Sequence, residues 1–180
     1  MGLHDIAAAM QRAEKVFERR PEAGLHDDAP ATARWQGGAR FVATHPNGHQ
    51  VRTDMPTELG GGGSEVTPGW LFRAGLASCA ATSITMSAAA AGVALEVLEV
   101  HASSRSDTRG LIGMPGADGT PVYAGPHDVQ LQVRIVARGI EPERLRALVQ
   151  EAVGRSPVPS VLPNPTALAL QIDTGERAEA

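Results

Sequence analysis

The chain has 180 residues, a net charge of −4 and one cysteine, and these numbers exclude several classes of protein. Its length fits one domain with its own hydrophobic core. The sequence has no basic tract, which argues against a nucleic-acid-binding protein, and one cysteine excludes an intrachain disulfide. The histidines show no HExxH motif, and the one HxxxH pair, His45 and His49, lies in a predicted hairpin turn and not on a helix, so we expect no metal and no cofactor. Since no secretion signal is evident, we expect the reducing conditions of the cytoplasm.

The first periodic segment is residues 1–20. Its apolar side chains recur every three or four positions, as on one face of a helix: Leu3, Ile6, Ala7, Met10, Ala13, Val16 and Phe17. Pro21 ends the pattern. We therefore predict an amphipathic N-terminal helix, which precedes the main domain and packs over its core or against a second subunit.

Residues 31–54 alternate in polarity as antiparallel strands do. Three short strands are predicted, with turns at residues 37–38 and 45–48. Four consecutive glycines, residues 60–63, then predict a mobile loop.

Residues 67–92 form the longest nearly uncharged run, and the rest of the chain is organised around it. Thr67 followed by Pro68 predicts a helix start, and Gly92 predicts its end. Because the run is not amphipathic, we expect a helix buried on nearly all sides. It is long enough to span a membrane, but its many small residues make it only weakly hydrophobic, and no basic flank sets an orientation. A core helix is the preferred interpretation, and no membrane partner is expected.

The second half of the chain predicts further strands and one more helix. The expected elements are a strand at 95–105, a loop at 106–125, an alternating strand at 127–138, a helix at 141–153, a rigid turn at 156–159, a last strand at 167–173 and a polar tail at 174–180. This order predicts an α+β fold with mainly antiparallel sheet. One such sheet cannot surround an apolar helix, so we expect an intertwined twofold homodimer.

Cys79, in the central run, is the only side chain with intrinsic redox or nucleophilic chemistry. Free cysteines are often buried as small hydrophobic residues, and a reactive one needs a nearby cation or helix-end field to become a thiolate. Arg73 lies on another face of the predicted helix, so the cation must come from elsewhere. The candidates are the strand arginines Arg34, Arg40 and Arg52. Nearby hydroxyls either bond the sulfur or bond back to helix carbonyls: Ser78, Thr82 and Ser83.

Three stretches resemble the OsmC/Ohr family of osmotically induced and organic-hydroperoxide-resistance proteins. They are residues 54–81, DMPTELGGGGSEVTPGWLFRAGLASCAA, residues 91–110, which end in a D-x-R-G motif, and residues 155–165, RSPVPSVLPNP. The resemblance covers residues 31–173 and leaves the first twenty as an extension. It implies a homodimer in which antiparallel sheets wrap around two long central helices.

The resemblance also implies thiol peroxidase chemistry at a subunit interface. The family's peroxidatic cysteine corresponds to Cys79, and its supporting arginine corresponds loosely to Arg40. Two positions depart from the family pattern, because Ser156 stands where the resolving cysteine is expected and Gly69 where one branch has a glutamate. Without a second cysteine, oxidation would stop at sulfenic acid until an external thiol reduced it.

The leading hypothesis is an OsmC-like, one-cysteine peroxidase that reduces organic hydroperoxides in an oxidative stress response. Cys79 would attack the distal peroxide oxygen, and Arg40 or another strand arginine would stabilise the charge. Four residues of the central run would form an apolar wall for the substrate, or are ordinary core: Trp70, Phe72, Leu76 and Met86.

Two other hypotheses stay open. The missing second cysteine favours a non-catalytic ligand-binding or interaction protein with the same fold. A hydrolase that uses Ser78 or Ser156 is the third, although no GxSxG motif supports it.

Overall fold

The computed structural model describes residues 2–164 and 166–175. Its helices and longer strands are α1 (Leu3–Arg19), β1 (Thr32–Trp35), β2 (Phe41–Thr44), β3 (Gln50–Thr53), α2 (Pro68–Ala90), β4 (Leu95–Arg105), α3 (Thr108–Leu111), β5 (His127–Ala137), α4 (Pro142–Gly154) and α5 (Pro157–Ser160). The strands form two antiparallel sheets, β1–β2–β3 and β4–β5. The predicted α+β class is therefore confirmed, and the four longer helices and strands after residue 60 begin and end within about a residue of their predicted bounds.

Helix α2 lies at the centre of the chain. The Thr67 hydroxyl accepts a hydrogen bond from the backbone N–H of Trp70 at 3.1 Å, which caps the helix as predicted. Helices α1, α4 and α5 and strand β4 pack around α2. The fully buried side chains recur every four positions and so form one face: Leu76, Ala80, Ile84 and Ala88.

The single chain buries α2 less completely than the sequence predicts. Trp70 is 49 % exposed and Met86 is 40 % exposed. The β4–β5 sheet and the other helices each cover one side only, which leaves parts of α2 open. Burial of these parts by a second copy of the chain stays a prediction.

The β4–β5 sheet supplies the largest paired surface of the fold. Its predicted alternation is confirmed, because five inward-facing side chains of β5 are buried or half-buried: Val129, Leu131, Val133, Ile135 and Ala137. Ala137 joins Ala88, Val93 and Leu145 in a buried cluster. The hydrophobic contact between α2, α4 and this sheet holds the second half of the chain together.

The β1–β2–β3 sheet has one apolar face, which is open in the chain. Its register pairs Trp35 with Phe41 and Ala43 with Val51, so these four side chains lie on one face. Trp35, Phe41 and Val51 are all exposed. Apart from contacts between its own strands, no described helix or strand packs extensively on this sheet.

The glycine run before α2 is held by a buried carboxylate. Asp54 is 1 % exposed and accepts hydrogen bonds from the backbone N–H groups of Met55 and Gly62 at 2.8 and 2.9 Å. Burial alone would raise the pKa of Asp54, but these bonds and those from Ser64 outweigh burial and lower it. A Cβ on Gly61 would lie 1.8 Å from the Met55 carbonyl oxygen, so this close approach requires glycine. The loop is anchored, which differs from the mobile connection predicted.

Two predictions for the C-terminal part are wrong. The expected turn at residues 156–159 is mostly the short helix α5. The expected strand at 167–173 has no regular secondary structure and no partner strand, and its alternating apolar side chains are exposed, Leu168 to 92 %. A strand needs the edge of another strand for its backbone hydrogen bonds, and this segment pairs with neither sheet. Residues 176–180 of the predicted tail lie outside the described residues.

No described helix is long and apolar enough to cross a membrane.

Candidate functional site

Cys79 lies half-buried in the middle of α2, and its sulfur accepts hydrogen bonds from two residues that lie much later in the sequence. The Ser156 hydroxyl lies 3.2 Å from Cys79 Sγ, and the backbone N–H of Val158 donates to the same sulfur at 3.5 Å. The structure thus brings together the two positions that the sequence identified for the peroxidatic and resolving residues.

Helices α4 and α5 position Ser156 beside the cysteine. The backbone N–H of Ser156 donates to the Val153 carbonyl at 3.1 Å, which ties it to the last turn of α4. Pro157 then begins α5, where its fixed φ angle suits the first helical position. Ser156 is 0 % exposed. Its hydroxyl therefore faces Cys79 and no solvent.

The arginines close to this pair in sequence bond elsewhere. Arg73 donates to the Ser104 hydroxyl at 3.4 Å. Arg155 donates to the Ser87 hydroxyl at 3.2 Å and forms an ion pair with Glu151. In the described part of the chain, no arginine side chain hydrogen-bonds Cys79.

Arg40 lies away from Cys79 on the β1–β2–β3 sheet. It closes the turn between β1 and β2, where its carbonyl accepts from the Gln36 N–H at 2.9 Å. Its side chain lines a shallow cavity of about 280 Å³ with Arg52 and Glu65, and Cys79 does not line that cavity. By the strand alternation, Arg34 and Arg52 lie on the polar face of the sheet. The catalytic role of Arg40 stays a prediction.

The four predicted substrate-contacting residues do not share one face of α2. Phe72, Cys79 and Met86 are seven positions apart, which places them on the same side of the helix. Trp70 points in another direction by the same geometry. Leu76 is 0 % exposed, which fits ordinary core packing.

The hydroxyls of α2 do not supply the sulfur's hydrogen bonds. Among the described residues, the donors to Cys79 are Ser156 and Val158, and Ser78, Thr82 and Ser83 are not. The sequence could not have predicted the Val158 amide as a donor, because every residue except proline carries a backbone N–H.

The hydrolase hypothesis gains no support from the site. No histidine within residues 2–164 and 166–175 hydrogen-bonds Ser78 or Ser156 in this structure. In the same part of the chain, no group of three or more His, Cys, Asp or Glu side chains is arranged to hold a metal ion.

The N-terminal helix α1 packs beside the site and not over the sulfur. Ile6 and Met10 of α1 face Thr82 and Met86 of α2 across an apolar groove of about 530 Å³. Cys79 is not among the residues that line this groove. Beyond Gly2 and Arg20 at its own ends, the described residues of α1 form no hydrogen bond or ion pair with the rest of the described chain.

The D-x-R-G motif forms an ion pair at the end of β4. The Asp107 carboxylate accepts from the backbone and the side chain of Arg109, both at 3.0 Å. The side-chain hydrogen bond from Arg109 lowers the pKa of Asp107 to about 2. The pair closes the turn that begins α3, so its evident role is structural.

The chain belongs to the OsmC family. The model of the family described as OsmC-like protein matches residues 61–171, which include α2 with Cys79 and the segment with Ser156. None of the curated proteins compared with the chain matches it.

Solved structures of family members share the fold. An OsmC-like protein from Mycoplasma pneumoniae matches with a TM-score of 0.64 at 17% identity, over 78% of this chain and 91% of that one. An organic hydroperoxide resistance protein OsmC from Legionella pneumophila matches with a TM-score of 0.55 at 23% identity, over 78% and 92%. An organic hydroperoxide resistance protein from Elizabethkingia anophelis matches with a TM-score of 0.52 at 21% identity, over 78% and 91%. At these identities the likeness establishes the fold alone.

Proposed function

We propose that this chain is a one-cysteine thiol peroxidase that reduces organic hydroperoxides. The observation that carries the proposal is the contact between Cys79 Sγ and the Ser156 hydroxyl at 3.2 Å. This contact supports the correspondence between Ser156 and the family's resolving cysteine, which the resemblance implies. The names of the Legionella and Elizabethkingia relatives as organic hydroperoxide resistance proteins support the substrate class.

The reaction uses the thiolate of Cys79. It attacks the distal oxygen of the peroxide, so a sulfur–oxygen bond forms as the oxygen–oxygen bond breaks. Sulfur is oxidised by two electrons to sulfenic acid, and the peroxide leaves as an alcohol after taking up a proton. An external dithiol then reduces the sulfenic acid through a mixed disulfide. Such reduction fits a reducing, cytoplasmic compartment.

Phe72 and Met86 flank the sulfur along α2. They lie seven residues before and after Cys79, about 10 Å away along the helix axis on either side. Phe72 is half-buried and Met86 is exposed. These apolar side chains are suited to the organic part of the substrate, whereas Leu76 contributes to the core.

The active form proposed is a homodimer. The open apolar face of the β1–β2–β3 sheet, with Trp35, Phe41 and Val51, needs a cover, and the exposed side chains of α2 need one as well. Two copies that exchange these surfaces bury both. In that arrangement, Arg40 is the arginine proposed to approach the partner's cysteine, because it is the one that the family resemblance implies.

A non-catalytic binding protein is the second candidate function. It is favoured by the absence of an arginine hydrogen bond to Cys79 within the described residues. In this case Cys79 is a packed core residue, and the apolar surfaces of α2 bind a ligand or another protein.

Peroxide consumption by the purified full chain distinguishes the peroxidase from the non-catalytic binding protein. Cumene hydroperoxide is added with dithiothreitol, and its loss is followed for the native chain, Cys79→Ser and the adjacent control Ser78→Ala. We expect the native chain and Ser78→Ala to consume the peroxide and Cys79→Ser to lose at least about a hundredfold in rate, since the nucleophile is removed. Equal consumption by Cys79→Ser would refute the peroxidase. A native chain that consumes nothing, with Cys79 resistant to iodoacetamide, would favour the binding protein.

A further inference from the structure

The segment that carries Ser156 is rigid. The Ser156 carbonyl accepts from both the backbone N–H and the hydroxyl of Ser160, at 2.9 and 2.7 Å. Pro157 and Pro159 fix two φ angles in the same turn, and Pro159 is buried. The position of the Ser156 side chain relative to α2 is therefore set by the backbone and not by a mobile loop.

The Ser156 hydroxyl has one hydrogen-bond partner among the described residues, and that partner is Cys79 Sγ. With 0 % exposure, the side chain has no access to solvent. A hydroxyl carries one proton, and a thiolate only accepts. When Cys79 is ionised, the Ser156 hydroxyl must therefore donate to the sulfur, beside the N–H of Val158 at 3.5 Å.

We propose that Ser156 is a positioning residue for Cys79, which with the Val158 amide stabilises the thiolate in place of an arginine from the same chain. The proposal rests on the peroxidase function proposed above. Hydrogen bonds to a charged acceptor are about twice as strong as those between neutral groups. Two such bonds favour the ionised sulfur and aim its free lone pairs away from α5. Ser156 keeps its proton throughout, since the alcohol product takes its proton from solvent.

The residue at position 156 decides two things: whether a disulfide with Cys79 can form, and how strong a hydrogen bond the sulfur accepts. A cysteine there would close a disulfide and turn the oxidised enzyme into a two-cysteine state. The serine cannot form that bond, but it donates a stronger hydrogen bond than a thiol does. We infer that the serine favours the reduced, reactive thiolate and leaves the sulfenic acid for an external thiol.

Alkylation of Cys79 by iodoacetamide as a function of pH tests this role without peroxide. Ser156→Ala removes the donor and Ser156→Thr keeps it. Ser78→Ala is the matched control, because Ser78 adjoins Cys79 but its hydroxyl is not a donor to the sulfur. We expect Ser156→Ala to react about tenfold more slowly at pH 7, with its profile moved to higher pH, as loss of a charge-assisted hydrogen bond predicts. Ser156→Thr and Ser78→Ala should stay within about twofold of the native rate.

Three outcomes decide the proposal. An unchanged rate and pH profile for Ser156→Ala would overturn it, as would equal slowing of Ser156→Ala and Ser156→Thr, which would mark a packing effect. If native protein and Ser156→Ala differ as expected while neither consumes peroxide, the role of Ser156 stands and the peroxidase function fails. Ser156→Cys adds a geometric check, since mild oxidation should close a disulfide with Cys79, seen as the loss of two hydrogens by intact mass.

Discussion

Two parts of the molecule contribute to the proposed site, and the chain builds only one of them by itself. The α2–α5 region brings the Ser156 hydroxyl and the Val158 amide within hydrogen-bond distance of Cys79 Sγ. The β1–β2–β3 sheet, with Arg40 just before β2, leaves its apolar face open, and no other described helix or strand packs extensively on it. Folding of one chain is therefore enough to bring the two donors to the sulfur, whereas the proposed role of Arg40 requires a second copy of the chain.

The largest expected effect comes from breaking the α2 core. Leu76→Ala removes a side chain with no exposed surface, and we expect it to lower the free energy of unfolding by about 2–5 kcal/mol. Leu25→Ala, at a side chain that is almost wholly exposed, should change it by less than about 0.5 kcal/mol. Urea unfolding at one fixed protein concentration measures both. Equal effects would contradict the assignment of this face to the core.

A charge on the apolar face of the β1–β2–β3 sheet tests the second part. Val51→Asp would bury an unpaired carboxylate in the proposed dimer, so we expect the dimer dissociation constant to rise at least about tenfold. Gln50→Asp adds the same charge one residue earlier, on the polar face, and should leave dimerisation unchanged. Sedimentation equilibrium gives both constants. If the two variants associate equally, or the native chain is monomeric, this face is not the dimer contact.

The smallest expected effect concerns the ion pair at the end of β4. Arg109 lowers the pKa of Asp107 to about 2 in the folded chain, from 3.8 in the unfolded one. The pair therefore adds stability above about pH 4, and this contribution is lost as the pH falls from about 4 towards 2. We expect Arg109→Ala to lose less stability than the native chain over that interval, measured by urea unfolding. Parallel loss in both proteins would show that the pair does not contribute.

The sequence predicted those elements whose partners lie within the chain. The alternation of β5 and the cap at Thr67 specify local structure, and both are confirmed. The segment at residues 167–173 has equally clear alternation but forms no strand. Alternating polarity shows that a segment could have one apolar and one polar face, but it does not show that another strand lies beside it to pair with. Leu168 is exposed because this segment packs against neither sheet.

The site was predictable only in part. Cys79 stood out as the only cysteine, whereas its connection with position 156 came from resemblance to a family, since nothing in spacing or composition connects residues so far apart in sequence. The anchoring of the glycine run by Asp54 and the amide of Val158 could not be predicted, because both depend on where backbone groups lie after folding.

One single-turnover measurement tests the central claim most directly. The reduced native chain receives one equivalent of cumene hydroperoxide with no thiol present, and the intact mass and the remaining peroxide are measured together. We expect the peroxide to be consumed as one oxygen atom is added to Cys79, in a form that dimedone traps and dithiothreitol reverses. An unmodified Cys79 with the peroxide left intact would contradict the claim that this cysteine is a peroxidase thiol.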